Sequence, residues 1–217
     1  MEIRISAKMF AEFVTGGPSK KASTVRKLQK PKSPEAKIPS GYYRRAIGII
    51  RAYHDHDNDH SYILNGLKSL YKESETAATP QGKAKWRSNL QAVEAYMKKF
   101  ASRKWKVISC PRIHYLASDV RISGSPDLSI RDSDRIRLVK LGVRKAKETE
   151  EMVRLMLRVI YQAAKSRLKL SPSDITYFDV ATGDSITGDY SDKHLEQTIE
   201  GGCRALQQMM GPGQPKA

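Results

Sequence analysis

Residues 148–167 contain neither Gly nor Pro and stand between two β-favouring runs, 135–141 and 174–180. Met152, Leu155, Met156, Val159, Ile160 and Ala163 recur there at helical spacing, with acids at the start of the segment and bases at its end, as the helix dipole prefers. A helix of this length between two strands carries the chain across the face of a sheet and returns it parallel to the strand it left. The second half of the chain is therefore expected to be α/β and built around a crossover.

The runs ahead of the crossover fit this scheme. Residues 105–109, 119–123, 127–131 and 135–141 are short and β-favouring, and turn residues such as Gly124, Ser125, Pro126 and Asp132, Ser133, Asp134 separate them. They predict a meander. A hairpin turn at 181–184 and a last helix over 191–210 follow. Gly201 and Gly202 cost that helix about 2 kcal/mol relative to two alanines, which predicts close packing or a kink there.

The first half reads differently. Ser6 is placed to cap a short helix with the apolar stripe Met9, Phe10, Phe13 and Val14, which Gly16, Gly17 and Pro18 end. Residues 18–39 are rich in Lys, Ser and Pro and read as a basic arm, with a short helix about 23–29. Helices are expected at 40–53, 61–73 and 80–101. The expected organisation is a basic helical region over 1–79, an α/β core over 80–210 and a frayed tail over 211–217.

The 217 residues carry a formal charge of +16 and a sequence pI near 9.8, and most of the excess lies in the first half. Such a surface favours a polyanion, because Lys and Arg that neutralise phosphates release condensed counterions. The expected nucleic-acid contacts are Lys20, Lys21, Arg26, Lys27, Lys30, Arg44, Arg45, Lys83, Lys85, Arg87, Arg103 and Lys104, several of them beside Tyr or Trp. A solubility surface, or one that docks an acidic protein, is the rival reading. No apolar run approaches a membrane span and the start lacks a signal-peptide pattern, so the expected setting is the cytoplasm, with no membrane partner. Cys110 and Cys203 lack partners at ligand spacing and read as small buried residues, so neither a disulfide framework nor a zinc cage is indicated. The loop from His54 to His60 opens like a calcium loop, but His60 and Gly66 stand where that loop needs Gly and Glu, so it reads as a solvated connection.

The order helix, meander, helix, strand, with Pro126 and Asp127 at one strand and Lys140 on the next, resembles the PD-(D/E)XK nuclease-like superfamily from about Pro80 to Met210. The resemblance implies a restriction-endonuclease-like core: a mixed sheet flanked by helices. It also implies an Asp127 that ligates Mg²⁺ or Mn²⁺ and a Lys140 that orients water. The chain departs from the motif at the second acid. If Lys140 is the family's lysine, the acid position holds Leu138; if Lys140 stands in the acid position, the lysine position holds Gly142. Glu94 is the expected second metal ligand, with Asp119, Glu148 and Glu151 as alternatives. Ser125 to Leu128 and Val139 to Leu141 are also similar to a set of bacterial proteins of comparable size. Three functions follow as expectations: a divergent metal-dependent nuclease; a pseudonuclease that binds DNA or RNA within a defence, repair or mobile-element assembly; and a basic scaffold for an acidic protein.

Overall fold

The computed structural model describes residues 2–30, 41–109, 113–132, 134–144, 147–188 and 193–211. The expected strand–helix–strand crossover is present as β6 (Arg135–Gly142), α6 (Glu150–Leu168) and β7 (Ile175–Asp179), with β6 and β7 parallel. Thr149 caps α6 by accepting from the Met152 N–H, Glu150 and Glu151 stand in its first turn, and Lys165 and Arg167 in its last.

Five strands make the larger sheet, in the order β2 (Lys106–Val107), β5 (Leu128–Asp132), β6, β7 and β8 (Ser185–Thr187). Every neighbouring pair is antiparallel except β6 and β7. One expectation changes here. The strand at 119–123 does not join this meander: as β4 (Val120–Ser123) it forms a second sheet of order β1, β4, β3 with β1 (Ile3–Ser6) and β3 (His114–Ala117). β1 runs parallel to β4, with Ile3 opposite Val120 and Ile5 opposite Ile122. It comprises only four residues, and its partner lies far along the chain, so local periodicity cannot reveal it.

Helices cover both faces of the larger sheet. On one side, α6 packs against β7 and β4, and it is joined by α1 (Ala7–Thr15), α2 (Pro18–Gln29) and α7 (Lys193–Met210). Phe10, Phe13, Val153, Met156, Ile160, Ile199 and Leu206 form one core there with Leu138, Ile175 and Tyr177 of the sheet. Gly202 is the close-packing point that the sequence anticipates: a Cβ there would lie 2.6 Å from Val14 Cγ2 and 2.9 Å from Phe10 Cζ, so α1 can approach α7 only over a glycine. Cys203, next to it, is buried, and burial pushes its thiol up to about 11; Cys110 lies outside the described residues.

On the other side, α3 (Arg44–Asp55), α4 (His60–Thr76) and α5 (Pro80–Phe100) form a three-helix layer. Ile50, Tyr96 and Phe100 of this layer, with Trp105 between α5 and β2, pack onto Leu128, Ile130, Val139, Leu141 and Phe178. The division expected at residue 80 does not separate the contacts, because α4 packs along α5 and β1 pairs with β4. The basic arm also changes character: Pro18 at the first turn starts a full helix, α2, that buries Thr24 and Val25, whereas residues 31–40 lie outside the described segments. Most of the expected tail, 212–217, lies outside them too. Among the described residues no helix is long and apolar enough to cross a membrane.

His54 is the buried polar centre of the helical layer. Its Nδ1 lies 2.5 Å from Asn58 Oδ1 and its Nε2 2.5 Å from the Tyr96 hydroxyl. One neutral tautomer satisfies both, with Nδ1–H donating to Asn58 and Nε2 accepting from Tyr96. Burial holds its pKa below the ordinary 6.5, with the Asn58 bond opposing that shift. The unfolded chain therefore takes up the proton first as pH falls, and stability present above pH 6.5 is lost below it. Unfolding free energies from urea titration are expected to fall from pH 7 toward pH 5 in wild type, more steeply than in His54→Gln, with this group contributing at most about 1.4 kcal/mol per pH unit.

Candidate functional site

Asp127 and Lys140 meet. Register brings them together: Leu128 opposes Val139 in the β5 and β6 ladder, and one step further Asp127 faces Lys140 across it. Lys140 Nζ donates to Asp127 Oδ1 at 2.9 Å, and the Leu141 N–H donates to Asp127 Oδ2 at 2.8 Å. The Asp127 N–H in turn donates to the Val139 carbonyl at 2.8 Å. Both side chains are largely covered, at 12% exposure for Asp127 and 21% for Lys140. The carboxylate thus closes the mouth of the strand pair, with both oxygens taken by donors of β6.

The pair lies on the α6 side of the sheet. Leu128, Val139 and Leu141 point to the α5 side, and strand alternation turns their neighbours Asp127 and Lys140 the other way. Leu138, at the position the nuclease motif gives to an acid, is fully buried in the apolar core beneath α6. Glu94 is not brought to the pair. It is an exposed residue of α5, whose buried residues face the opposite side of the sheet, and helical periodicity alone could not tell which face that helix would cover. Asp119 is exposed at the β3–β4 turn and Glu151 is exposed in the first turn of α6.

Glu148 comes closest to the same strand ends. It forms an ion pair with Lys8 of α1, its side chain is 6% exposed, and its Oε2 is buried without a hydrogen-bond partner. Tyr177, opposite Lys140 in the β6 and β7 register, stands beside it. Burial first, and then the charge of Glu148, push the Tyr177 hydroxyl far above the ordinary tyrosine range, although no well-formed hydrogen bond satisfies Glu148 Oε2. Glu148 is among the alternative acids that the sequence offers, whereas no motif marks Tyr177, whose place comes from the parallel register of β6 and β7.

Tyr177 also explains Gly142. A Cβ on Gly142 would lie 1.8 Å from the Tyr177 hydroxyl oxygen and 2.3 Å from its Cζ. The ring occupies the place where a lysine two residues after Lys140 would begin. Gly142→Ala is expected to lower unfolding stability by about 2 kcal/mol through overpacking in the wild-type background and by less in a Tyr177→Ala background, measured by a urea double-mutant cycle.

An octahedral Mg²⁺ takes one or two carboxylates together with water and phosphate oxygens. Here the Asp127 oxygens are occupied by Lys140 and Leu141, and the acid position is an apolar leucine. Among the described residues no group of three or more His, Cys, Asp or Glu side chains is arranged to hold a metal ion. The donor set does not fit the cation that the resemblance implies.

The expected nucleic-acid contacts divide. Lys20 pairs with Glu12 at 3.3 Å, Arg45 with Glu73 at 3.7 Å and Arg87 with Glu75 at 3.8 Å. Lys21 lies over Phe13 and Lys85 over Trp86, at 5.9 and 4.5 Å from the ring centroids. Arg103 is held among three rings, 4.6 Å from Phe178, 5.3 Å from Trp105 and 5.5 Å from Phe100. Arg26, Lys27, Lys30, Arg44, Lys83 and Lys104 are exposed and have no ion pair among the described residues. They do not form one strip: Arg26 and Lys27 of α2 and Lys30 at its C-cap lie on the α6 side of the sheet, while Arg44 and Lys83 belong to the helical layer on the other. In comparisons with family models, curated proteins and solved structures the chain matches none, so the closed Asp127–Lys140 pair and the placement of its free cations carry the functional reading.

Proposed function

We propose that this chain binds nucleic acid on a nuclease-like scaffold in which Asp127 and Lys140 hold the sheet together instead of a metal ion. The observation that carries this reading is the carboxylate of Asp127, whose two oxygens are both engaged by β6 beneath a chain of net charge +16. The order α5, antiparallel strands, α6 and β7 supports the resemblance to the PD-(D/E)XK arrangement; the insertion of β3 and β4 between β2 and β5 departs from a simple meander. Exposed unpaired cations supply affinity through phosphates without reading sequence.

The test combines binding and cleavage on single- and double-stranded DNA and RNA, with Mg²⁺ or Mn²⁺, for wild type, Asp127→Ala and Lys140→Ala. Binding that weakens steeply with salt, with no cleavage above that of the variants, is the expected result. Absence of binding at low salt sinks the reading. Divalent-dependent cleavage lost in Asp127→Ala and in Glu148→Gln alike would instead mark a displaced-acid nuclease, against the unfit donor set and the ion pair of Glu148 with Lys8.

A further inference from the structure

Six large apolar side chains are strongly exposed among the described residues, and three of them, Tyr62, Leu64 and Tyr71, stand on α4 alone. Tyr62 already has a partner: its ring stacks on His56 at 3.8 Å and 8°. Leu64 and Tyr71, at 51% and 61% exposure, belong to none of the hydrophobic clusters of the described residues. Single exposed apolar residues are ordinary, but these two are seven residues apart and so lie on one face of the helix, about 10 Å apart along its axis. Lys68 falls between them at the spacing of the same stripe, and Glu75 continues it by one more turn.

Glu75 reaches Arg87 of α5, which fixes where the stripe lies: along the border between α4 and α5. Lys83, four residues before Arg87, shares that face of α5. Lys68 and Lys72 of α4 and Lys83 of α5 are exposed without an ion pair among the described residues. Glu94 stands on the α5 face too, seven residues beyond Arg87, so the basic end of the surface is the end that holds Tyr71, Lys72, Lys83 and Arg87.

We infer that this end of the α4–α5 border binds unpaired nucleotides, with Tyr71 as the stacking platform and Lys72 and Lys83 as phosphate contacts. The inference rests on the nucleic-acid reading above and narrows it to single strands. A ring presented with most of its area free, among cations and beside one paired acid, suits a base with its phosphate. In a duplex the base faces are stacked on each other and are closed to the ring.

The experiment is fluorescence anisotropy with a labelled oligothymidylate and with the same strand annealed to its complement. It uses the full chain as wild type, Tyr71→Ala, Tyr71→Phe, Lys72→Ala/Lys83→Ala and, to weigh the cations of α2 separately, Arg26→Ala/Lys27→Ala. Wild type is expected to bind the single strand more tightly than the duplex. Tyr71→Ala is expected to weaken single-strand binding about tenfold while Tyr71→Phe retains it, since stacking needs the ring and not the hydroxyl. The Lys72→Ala/Lys83→Ala variant is expected to lower the salt slope by about 0.7 for each contact removed. Unfolding midpoints within a degree or two of wild type exclude a folding defect at so exposed a position. If Tyr71→Ala binds like wild type, or loses duplex and single strand equally, the inference falls. If it falls while Arg26→Ala/Lys27→Ala weakens binding, the broader reading survives; if wild type binds neither form at low salt, both fall.

Discussion

Leu138→Glu, the substitution that would complete the nuclease spacing with Lys140, is expected to lower the unfolding free energy by about 4 kcal/mol or more and to produce no cleavage. Leu138 has no exposed surface and packs in the core formed by α1, α6 and α7. Its ladder neighbours are Ser129, whose buried hydroxyl already lacks a partner, and Ile175. Lys140, the one cation two residues away on the same face, is engaged with Asp127. A carboxylate there has to be buried without its own donor or charge partner, or be protonated. The measurement is urea unfolding of Leu138→Glu beside Leu138→Met, for which the loss should stay below about 1.5 kcal/mol. A Leu138→Glu protein of wild-type stability with Mg²⁺-dependent activity would show that this position is a lapsed metal site.

Asp127→Ala should cost about 3 kcal/mol, because it strands a largely covered Lys140 ammonium and the Leu141 N–H together. The graded variant is informative. Asp127→Asn keeps the shape but offers one acceptor oxygen to two donors, so its loss should fall between wild type and Asp127→Ala. Lys140→Met leaves Asp127 its backbone donor and removes the buried cation, so the double variant Asp127→Ala/Lys140→Met should lose less than the sum of the single losses. Additive effects below about 0.5 kcal/mol each in denaturant titrations would mean that the pair is an ordinary surface contact.

Much of the scaffold was legible because it is written in local periodicity. The apolar spacing in 148–167 and the β-favouring runs on either side were enough to expect the crossover, and Thr149, Glu150 and Glu151 mark its start. The strand at 119–123 was also legible as a strand, but its partner was not. Val120 and Ile122 are buried against Ile3 and Ile5, and no local signal ties residues that far apart to one ladder. The same limit applies to Glu94: its helix was visible, whereas the sheet face it covers depends on how α3, α4 and α5 pack. Arg103 reads as a free basic residue beside an aromatic, yet Phe178, remote in sequence, completes a set of three rings around its guanidinium.

By itself the sequence determined the α/β class, the parallel return of the chain, the basic character and the absence of an acid two residues before Lys140, because each depends on composition or short spacing. Only the tertiary structure decided that Asp127 and Lys140 close on each other, that Leu138 lies in an apolar core, and that Tyr177 fills the space over Gly142. Those outcomes depend on strand register and on which helices cover each face, which long-range packing sets and short-range periodicity leaves open.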